Sequence, residues 1–399
     1  MIRWIRIRNF KGIQDLKLLS FDSFHVLVGP NGSGKSTFLE AIDFVRSCIQ
    51  NGPRQAVEER VPTFGDLTFM RRGGAVIISI GLDLGATHRS PQGDPLSYTL
   101  SLAGDEKLGV RVGREGLLRH RQGGRPVALV GNSRSGKHFY RRESGTYTDV
   151  FDFGPGKLAL SLTPPDETRY PAANAAKAFL TQGVRYIQLN SRAMREPCPA
   201  TRPTELELDG TNLARVVGRL VNANPSSALA KALLGKRPED DDPRERWTAH
   251  LRYALDDLRE IGWAARAPDN AEYITLKYAD GLECPSWLLS DGTLRMLALT
   301  LPAFLPAAPR IYMVEEPEDG VHPKALEIIL KALAAIPNAQ VFIATHSPLV
   351  VQEEGVEPLL CFSKGEKGVQ VVHGKDHPAL KDWNGVPDLA SIFSSRVLG

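Results

Sequence analysis

The sequence predicts an α/β fold in which a parallel-sheet core carries an antiparallel β lobe and a helical insertion. A continuous apolar strand at 24–28 runs directly into a glycine-rich loop and a helix. Short β-type runs separated by glycine, asparagine and serine fill the region from 76 to 160. Two further apolar strands, at 311–314 and 341–344, flank a helix that ends before Pro337.

Composition narrows the class of protein. Hydrophobic residues make up 42% and charged residues 24% of the chain, which argues against a disordered, collagenous or fibrous protein. The 49 Lys and Arg residues nearly balance the 46 Asp and Glu residues, so net charge alone predicts no nucleic-acid partner. The four cysteines lie far apart in the sequence, and no apolar run is long enough to cross a membrane. We therefore expect a cytoplasmic protein that is neither secreted nor membrane-bound.

The first part of the chain predicts a strand, then a second strand, a loop and a helix. Ile5 and Ile7 alternate with Arg6 and Arg8, which is typical of a half-buried strand with a basic outer face. After the glycine-rich loop, one helical face carries Phe38, Leu39, Ile42, Val45 and Ile49. A buried helix is therefore expected directly behind the loop.

From 206 to 265 the apolar residues take helical spacing, which predicts two helices joined by a polar loop at 236–244. The first carries Leu213, Val216, Val217, Leu220 and Val221 on one face, and the second is marked by Leu251, Leu255 and Leu258. We accordingly expect an N-terminal lobe (1–205), this helical insertion (206–265) and a C-terminal lobe (266–399).

A phosphate-binding loop is the strongest motif. The segment 29–36, here called the phosphate loop, fits the pattern G-x-x-x-x-G-K-[S/T] between a buried strand and a helix. Its N–H groups would surround phosphate oxygens, Lys35 would reach the β- and γ-phosphates, and Ser36 would bind Mg²⁺. The residues predicted to bind nucleotide are Gly29, Pro30, Asn31, Gly32, Ser33, Gly34, Lys35, Ser36 and Thr37. A similar run at 131–138 ends in histidine and lacks an apolar helix, so we interpret it as a basic hairpin loop.

Two carboxylates follow the apolar strand at 311–314, at the strand end where α/β sheets bind ligands. Glu315 could hold Mg²⁺ directly or through water, and Glu316 could deprotonate an attacking water. Taken alone, the run could be an acidic turn on the surface. Because it accompanies the phosphate loop, we predict that it belongs to the same site.

Two more motifs lie where they could act on a phosphate. Ser290 and Gly292 stand at the predicted N-terminus of a helix, where backbone N–H groups favour anions. His346 follows the apolar strand at 341–344 and could donate a hydrogen bond to a γ-phosphate. Each also has an ordinary structural explanation, a helix cap for the first and a structural histidine for the second.

In this order, the four motifs resemble the nucleotide-binding domain of ABC-type ATPases, which are P-loop NTPases. A narrower resemblance is to the RecF/SMC-like and OLD-like (overcoming lysogenization defect) group of AAA family ATPases. It rests on Ile-Arg-Asn-Phe-Lys-Gly (7–12), the signature segment Leu-Ser-Asp-Gly-Thr (289–293) and Glu-Glu-Pro-Glu-Asp-Gly-Val-His-Pro (315–323). The resemblance covers about 1–49 and 286–351, and it implies an ATPase head that binds ATP with Mg²⁺.

The resemblance also implies roles for single residues. Glu315 would bind the metal, Glu316 would be the catalytic base and His346 the switch residue. A glutamine that senses Mg²⁺ is expected as well. Gln188, near the end of a short predicted strand, is the candidate, and Gln182 is the alternative.

A head-to-tail homodimer is the assembly that the resemblance implies, with ATP sandwiched between two subunits. Ser290 and Gly292 of one subunit would act on ATP bound to Lys35 and Ser36 of the other. The sequence departs from extended SMC-type proteins because it has no long coiled coil. It departs from OLD-type nucleases because no Toprim Asp-x-Asp pair follows His346. If DNA is cut, we expect a separate partner nuclease or effector to cut it.

A basic segment at 107–142 raises the question of DNA binding. Its basic residues are Lys107, Arg111, Arg114, Arg119, Arg121, Arg125, Arg134, Lys137, Arg141 and Arg142, against the single acid Glu115. On a β-rich lobe they could contact the backbone of duplex DNA without reading its sequence. A solvated basic loop, or a docking surface for an acidic protein, remains the alternative.

The resulting hypothesis is an ATP-gated ATPase dimer in DNA repair or anti-phage defence, acting on DNA or controlling an effector. The ATPase subunit of a membrane transporter is the alternative, since it shares the four motifs. The long middle region and the Asp-Gly-Thr form of the signature segment argue against it. A metabolic P-loop kinase would leave the signature segment and His346 unexplained.

Overall fold

The computed structural model describes most of the chain. The described residues are 1–85, 94–107, 109–121, 123–132, 137–145, 148–154, 156–222, 242–267, 269–365 and 368–380. Most of the loop predicted at 236–244 lies outside them, as do Arg134 of the basic segment and the last part of the C-terminal lobe.

The strands and helices of the described residues are numbered here in chain order. The strands are β1 (Ile2–Phe10), β2 (Ile13–Ser20), β3 (Phe24–Val28), β4 (Val76–Leu82), β5 (Leu96–Asp105), β6 (Gly109–Arg119), β7 (Val127–Asn132), β8 (Lys137–Arg141), β9 (Thr148–Asp152), β10 (Val184–Ile187), β11 (Leu258–Arg266), β12 (Ala271–Tyr278), β13 (Glu283–Pro285), β14 (Arg310–Glu315), β15 (Ala339–Ala344), β16 (Leu359–Gly365) and β17 (Gly368–His373). The helices are α1 (Lys35–Asn51), α2 (Pro53–Glu58), α3 (Phe64–Leu67), α4 (Pro171–Ala178), α5 (Ser191–Arg195), α6 (Leu213–Asn222), α7 (Pro243–Leu251), α8 (Asp291–Thr300), α9 (Pro323–Ala334) and α10 (Pro348–Glu354).

The central sheet has the spatial order β10-β14-β15-β3-β16-β17 in the described part of the chain. All neighbouring pairs are parallel except β16 with β17, which confirms the predicted parallel core. Because parallel strands end at the same edge, the residues that follow β3, β10, β14 and β15 meet there. The phosphate loop, Gln188, Glu315 and His346 are thereby brought to one side of the sheet.

A second, antiparallel sheet has the order β2-β1-β4-β5-β6-β7-β8-β9 and confirms the predicted β lobe. Ile5 and Ile7 of β1 are fully buried beside α1, while Arg6 and Arg8 are exposed, as the alternation predicted. β7 and β8 pair antiparallel across the run at 131–138, as expected for a hairpin. Residues 133–136 of that run lie outside the described residues.

The second helix predicted in the insertion is wrong beyond Leu251. α7 ends at Leu251, a turn follows, and Leu258 begins β11, which pairs antiparallel with β12. The spacing of Leu251, Leu255 and Leu258 fits a helix, but Leu255 lies in the turn and its carbonyl accepts the N–H of Leu258. Strand pairing that buries Ile261 overrides so short an apolar pattern.

Two hydrophobic clusters cover the faces of the central sheet. One packs α1 and the antiparallel lobe against it, and the other packs α6, α8 and α9 against it. In the described ranges, no helix combines the length and the apolar character that crossing a membrane requires. Because the two clusters cover the faces of the central sheet, the edge where β3, β10, β14 and β15 end, here called the ligand edge, lies between two packed lobes.

Candidate functional site

The phosphate loop connects β3 to α1, and two of its glycines, Gly29 and Gly34, are packed so closely that they cannot carry side chains. Gly29 has a φ of 142°, and a Cβ there would lie 2.2 Å from the carbonyl oxygen of Phe362. Gly34 has a φ of 105°, and its Cβ would lie 2.5 Å from Cγ2 of Val369. Because glycine permits the positive φ at both positions, the loop backbone can turn its N–H groups toward a phosphate at the N-terminus of α1.

Lys35 is buried in the loop, with its ammonium group on backbone carbonyls. Nζ donates to the carbonyl oxygens of Gly29 at 2.6 Å and Pro30 at 3.1 Å. Burial lowers the pKa of Lys35 to about 8, against the opposing effect of nearby carboxylates that include Glu316. Ser33 Oγ is also buried and has no hydrogen-bond partner among the described residues. The unpartnered Ser33 hydroxyl and the Lys35 ammonium group, held in a glycine-rich loop, fit a polyphosphate ligand.

The lowered pKa of Lys35 predicts that ATP binding just above pH 8 takes up a proton. The free amine is partly neutral there, whereas phosphate charge next to it favours the ammonium form and raises its pKa. Calorimetry in buffers of different ionisation enthalpy measures the uptake. Lys35→Arg should bind ATP without it, because a guanidinium stays protonated. A binding enthalpy that does not depend on the buffer would contradict this assignment.

Glu315 and Glu316 end β14 in different conformations. Glu315 accepts a hydrogen bond of 2.6 Å from the hydroxyl of Tyr186, and burial together with this bond raises the pKa of Tyr186. Glu316 has a φ of 45°, in the left-handed region that residues with side chains rarely adopt. Its N–H donates to the carbonyl of Ala344 at 2.8 Å. Such strained backbone is typical of functional sites.

His346 stands next to the carboxylate of Glu316. Its Nε2 lies 3.9 Å from Oε1 of Glu316, and burial together with the charge of Lys35 lowers the pKa of His346. Glu318 holds the segment in place, since Oε1 accepts from the hydroxyl of Thr345 at 2.5 Å and from the N–H of His346 at 3.2 Å. A largely neutral imidazole is thus positioned beside a carboxylate at the ligand edge.

Gln188 follows β10 next to the carboxylates. Ile187 is paired with Val314 in parallel register, which places Gln188 beside Glu315. Gln182 precedes β10 and therefore lies at the opposite end of that strand. The same strand end borders a cavity of about 300 Å³ lined by Gln188, Glu315, Glu316, Arg295 and other residues.

The oxygen donors at this edge suit Mg²⁺. The Ser36 hydroxyl, a Glu315 carboxylate oxygen and the Gln188 amide oxygen are hard ligands of the type that Mg²⁺ prefers, and Mg²⁺ usually completes its shell with phosphate and water. Groups of three or more His, Cys, Asp or Glu side chains that could hold a metal do not occur in the described residues. A protein-only metal cage is therefore not part of the described site.

Ser290 caps α8, as predicted, and its side chain accepts the N–H of Thr293 at 3.1 Å. Ser290 is exposed, and no hydrogen bond between described residues joins it to the phosphate loop of the same chain. Gly292 packs on the segment after Glu316, because a Cβ there would lie 2.5 Å from the carbonyl oxygen of Gly320. Within one chain, the signature segment therefore contacts the turn after Glu316, but its cap at Ser290 makes no hydrogen bond to the phosphate loop among the described residues.

Tyr186 and Glu318 are site residues whose contacts the sequence did not reveal. Tyr186 is two positions before Gln188, and residues at that spacing share a face of a strand. Glu318 follows the paired carboxylates, but its contact with His346 depends on the pairing of β14 with β15. Both residues orient other side chains, and the motif at 315–323, which contains Glu318, does not indicate this contact.

Two family models match parts of the chain. Residues 187–352 match the family described as "AAA domain, putative AbiEii toxin, Type IV TA system", and residues 1–51 match the family described as "AAA ATPase domain". No curated protein matches the sequence significantly.

Two solved structures with a fold similar to that of this chain are SMC heads. An SMC head bound to the C-terminal winged-helix domain of ScpA is 13% identical, with a TM-score of 0.55 over 93% of this chain and 97% of that chain. An SMC head with an extended coiled coil, bound to the C-terminal domain of ScpA from Pyrococcus furiosus, is 14% identical, with a TM-score of 0.51 over 93% and 95%. At this identity they establish the fold. Together with the family matches, they identify the chain as an ATPase whose α/β fold is that of an ABC-type P-loop head.

Proposed function

We propose that the chain works as an ATP-gated head-to-tail dimer, with ATP held between the phosphate loop of one subunit and the start of α8 of the other. The observation that carries this proposal is the exposed cap at Ser290, which makes no hydrogen bond to the phosphate loop of its own chain among the described residues. Beside it, Trp287 is 46% and Leu288 68% exposed, which supplies apolar surface for a subunit contact.

Within one site, the side chains divide the work of hydrolysis. Lys35 contacts the β- and γ-phosphates, and Ser36, Glu315 and Gln188 hold Mg²⁺, which offsets phosphate charge when bound. Glu316 accepts the proton of the attacking water, and this general-base role accounts for a carboxylate held at the strand end. His346, beside Glu316, donates a hydrogen bond to the γ-phosphate as the switch residue.

The basic segment offers fewer free cations than its sequence suggests. Arg119 is buried and pairs with Glu143 at 2.7 Å, and Arg142 pairs with Asp149 at 2.7 Å. The acid in the segment, Glu115, is buried. Lys137 is exposed but has a contact within the chain. The other exposed side chains are those of Lys107, Arg111, Arg114, Arg121 and Arg125. We propose that the exposed arginines contact the phosphates of duplex DNA without base readout.

Steady-state ATPase rates with and without duplex DNA, at low and moderate salt, test this proposal. We expect DNA to stimulate turnover, and the stimulation to fade as salt rises. Replacing Arg111, Arg114 and Arg121 with glutamine should remove the stimulation and lower the salt slope by about one per lost phosphate contact. The exposed Arg54→Gln and Arg259→Gln variants serve as controls, and Glu316→Gln gives the blank. A basal rate indifferent to DNA would count against DNA contact and point to a protein partner.

We further propose that this ATPase acts in DNA repair or antiviral defence and controls a separate effector or nuclease protein. The resemblance to the RecF/SMC-like and OLD-like groups supports this role. A membrane-transporter subunit is less favoured, because both structural neighbours described above are SMC heads. The proposed cytoplasmic location follows from the same reasoning.

A further inference from the structure

One arginine joins α8 to the backbone of the proposed catalytic base in the same chain. Arg295 lies in the second turn of α8, and its Nη2 donates to the carbonyl oxygen of Glu316 at 3.0 Å. Its Nε is buried and has no hydrogen-bond partner among the described residues. Arg295 also lines the cavity that Glu315 and Glu316 border. The guanidinium group is therefore directed at the segment 316–320, here called the catalytic turn.

The backbone that Arg295 contacts is in the left-handed region and is held from several sides. The N–H of Glu316 donates to Ala344 at 2.8 Å, and its carbonyl accepts the N–H of Asp319 at 3.0 Å as well as Arg295. A strained conformation of this kind persists only where the surroundings enforce it. Among these hydrogen bonds of the Glu316 backbone, the one from Arg295 has a charged donor, and it is the one that comes from α8.

The helix touches the catalytic turn at a second point. Gly292 lies so close to Gly320 that a Cβ there would be 2.5 Å from the carbonyl oxygen. Gly292 and Arg295 are three positions apart, so they lie on the same face of α8. The N-terminal half of α8 is therefore in direct contact with the catalytic turn at two points.

We propose that Arg295 is a positioning residue that couples the N-terminus of α8 to the placement of Glu316. This inference rests on the proposed ATP sandwich, in which Ser290 engages the nucleotide of the other subunit. Engagement seats α8, and the hydrogen bond from Arg295 then holds Glu316 in the conformation that deprotonates water in its own site. Each subunit thereby hydrolyses its ATP fastest when its signature segment is occupied.

The test compares Arg295→Gln and Arg295→Lys with the exposed control Arg259→Gln. For Arg295→Gln we expect kcat to fall about 10- to 100-fold, the range typical of residues that orient a reactive group by a hydrogen bond. KM for ATP, and the fraction of dimer formed by the same variants in a Glu316→Gln background, should stay within about twofold. Arg295→Lys should recover part of kcat, because its ammonium can still donate to a carbonyl.

Two results would overturn the role of Arg295. One is a kcat of Arg295→Gln within about twofold of the parent value. The other is a parallel loss of ATP affinity, dimer and urea stability, which would mean that Arg295 only supports the packing of α8. If Arg295→Gln does not fold, the split between kcat and KM in Arg295→Lys decides. Failure of the ATP sandwich is separate, since Glu316→Gln with native Arg295 would then not dimerise.

Discussion

Lys35→Ala is expected to abolish ATP binding at nucleotide concentrations that saturate the parent protein. The substitution removes a buried ammonium group that contacts two loop carbonyls. We propose that this group contacts the β- and γ-phosphates. Losing one partner of a buried charge pair costs about 2–5 kcal/mol, which weakens binding about 30-fold or more. Equilibrium binding of a fluorescent ATP analogue measures the effect.

The control for this variant is Lys331→Ala. Lys331 is exposed on α9 and pairs with Glu327, far along the chain from the phosphate loop. The Lys331→Ala variant loses the same charge at a position outside the site, so its ATP affinity should match that of the parent. Without nucleotide, the urea midpoint of Lys35→Ala should be no lower than that of the parent protein, because burying the Lys35 amine costs desolvation free energy. ATP binding of parental strength by Lys35→Ala would remove the phosphate-loop assignment.

Glu316→Gln is expected to stop turnover while ATP stays bound. Glutamine keeps the size of the side chain and the hydrogen bonds of the backbone at Glu316, but it cannot accept a proton from water. Loss of general-base catalysis lowers kcat by about 10²–10⁴. Single-turnover hydrolysis together with a binding measurement separates the two effects.

The matched control is Glu327→Gln, which replaces a partly exposed carboxylate on α9 that pairs with Lys331. Its kcat should equal that of the parent. If Glu316→Gln hydrolyses ATP at close to the parental rate, the base lies elsewhere, and Glu315 and Glu318 become the residues to replace. Loss of ATP binding together with turnover would equally contradict the role assigned to Glu316, because a residue that only accepts a proton is not needed for binding.

Strands that end at the ligand edge were predictable, because a motif that follows a buried strand has its position fixed by the strand. The apolar runs at 24–28, 311–314 and 341–344 became β3, β14 and β15, and parallel pairing aligned their ends. Glycine spacing also predicted the tight phosphate loop. In the structure, a side chain at Gly29 would collide with the backbone of Phe362.

Contacts between distant segments could not be predicted in the same way. Leu258 fits a helical pattern, and only its pairing partner in β12 shows that it begins a strand. Tyr186 meets Glu315 because β10 lies next to β14, a neighbour relation that no local pattern encodes. Arg295 looks like an ordinary polar residue of a helix until the catalytic turn is placed beside it. Tertiary packing decides all three cases.

The central claim is that ATP joins two copies of this chain, and the molar mass of Glu316→Gln tests it most directly. Light scattering after size exclusion should give a dimer with Mg²⁺ and ATP and a monomer with Mg²⁺ and ADP. Ser290→Arg in the same background should bind ATP and remain monomeric, because the added side chain would block the cap that, in the proposed sandwich, faces the other subunit's nucleotide. A monomer at saturating Mg²⁺ and ATP, with nucleotide shown to be bound, would contradict the claim.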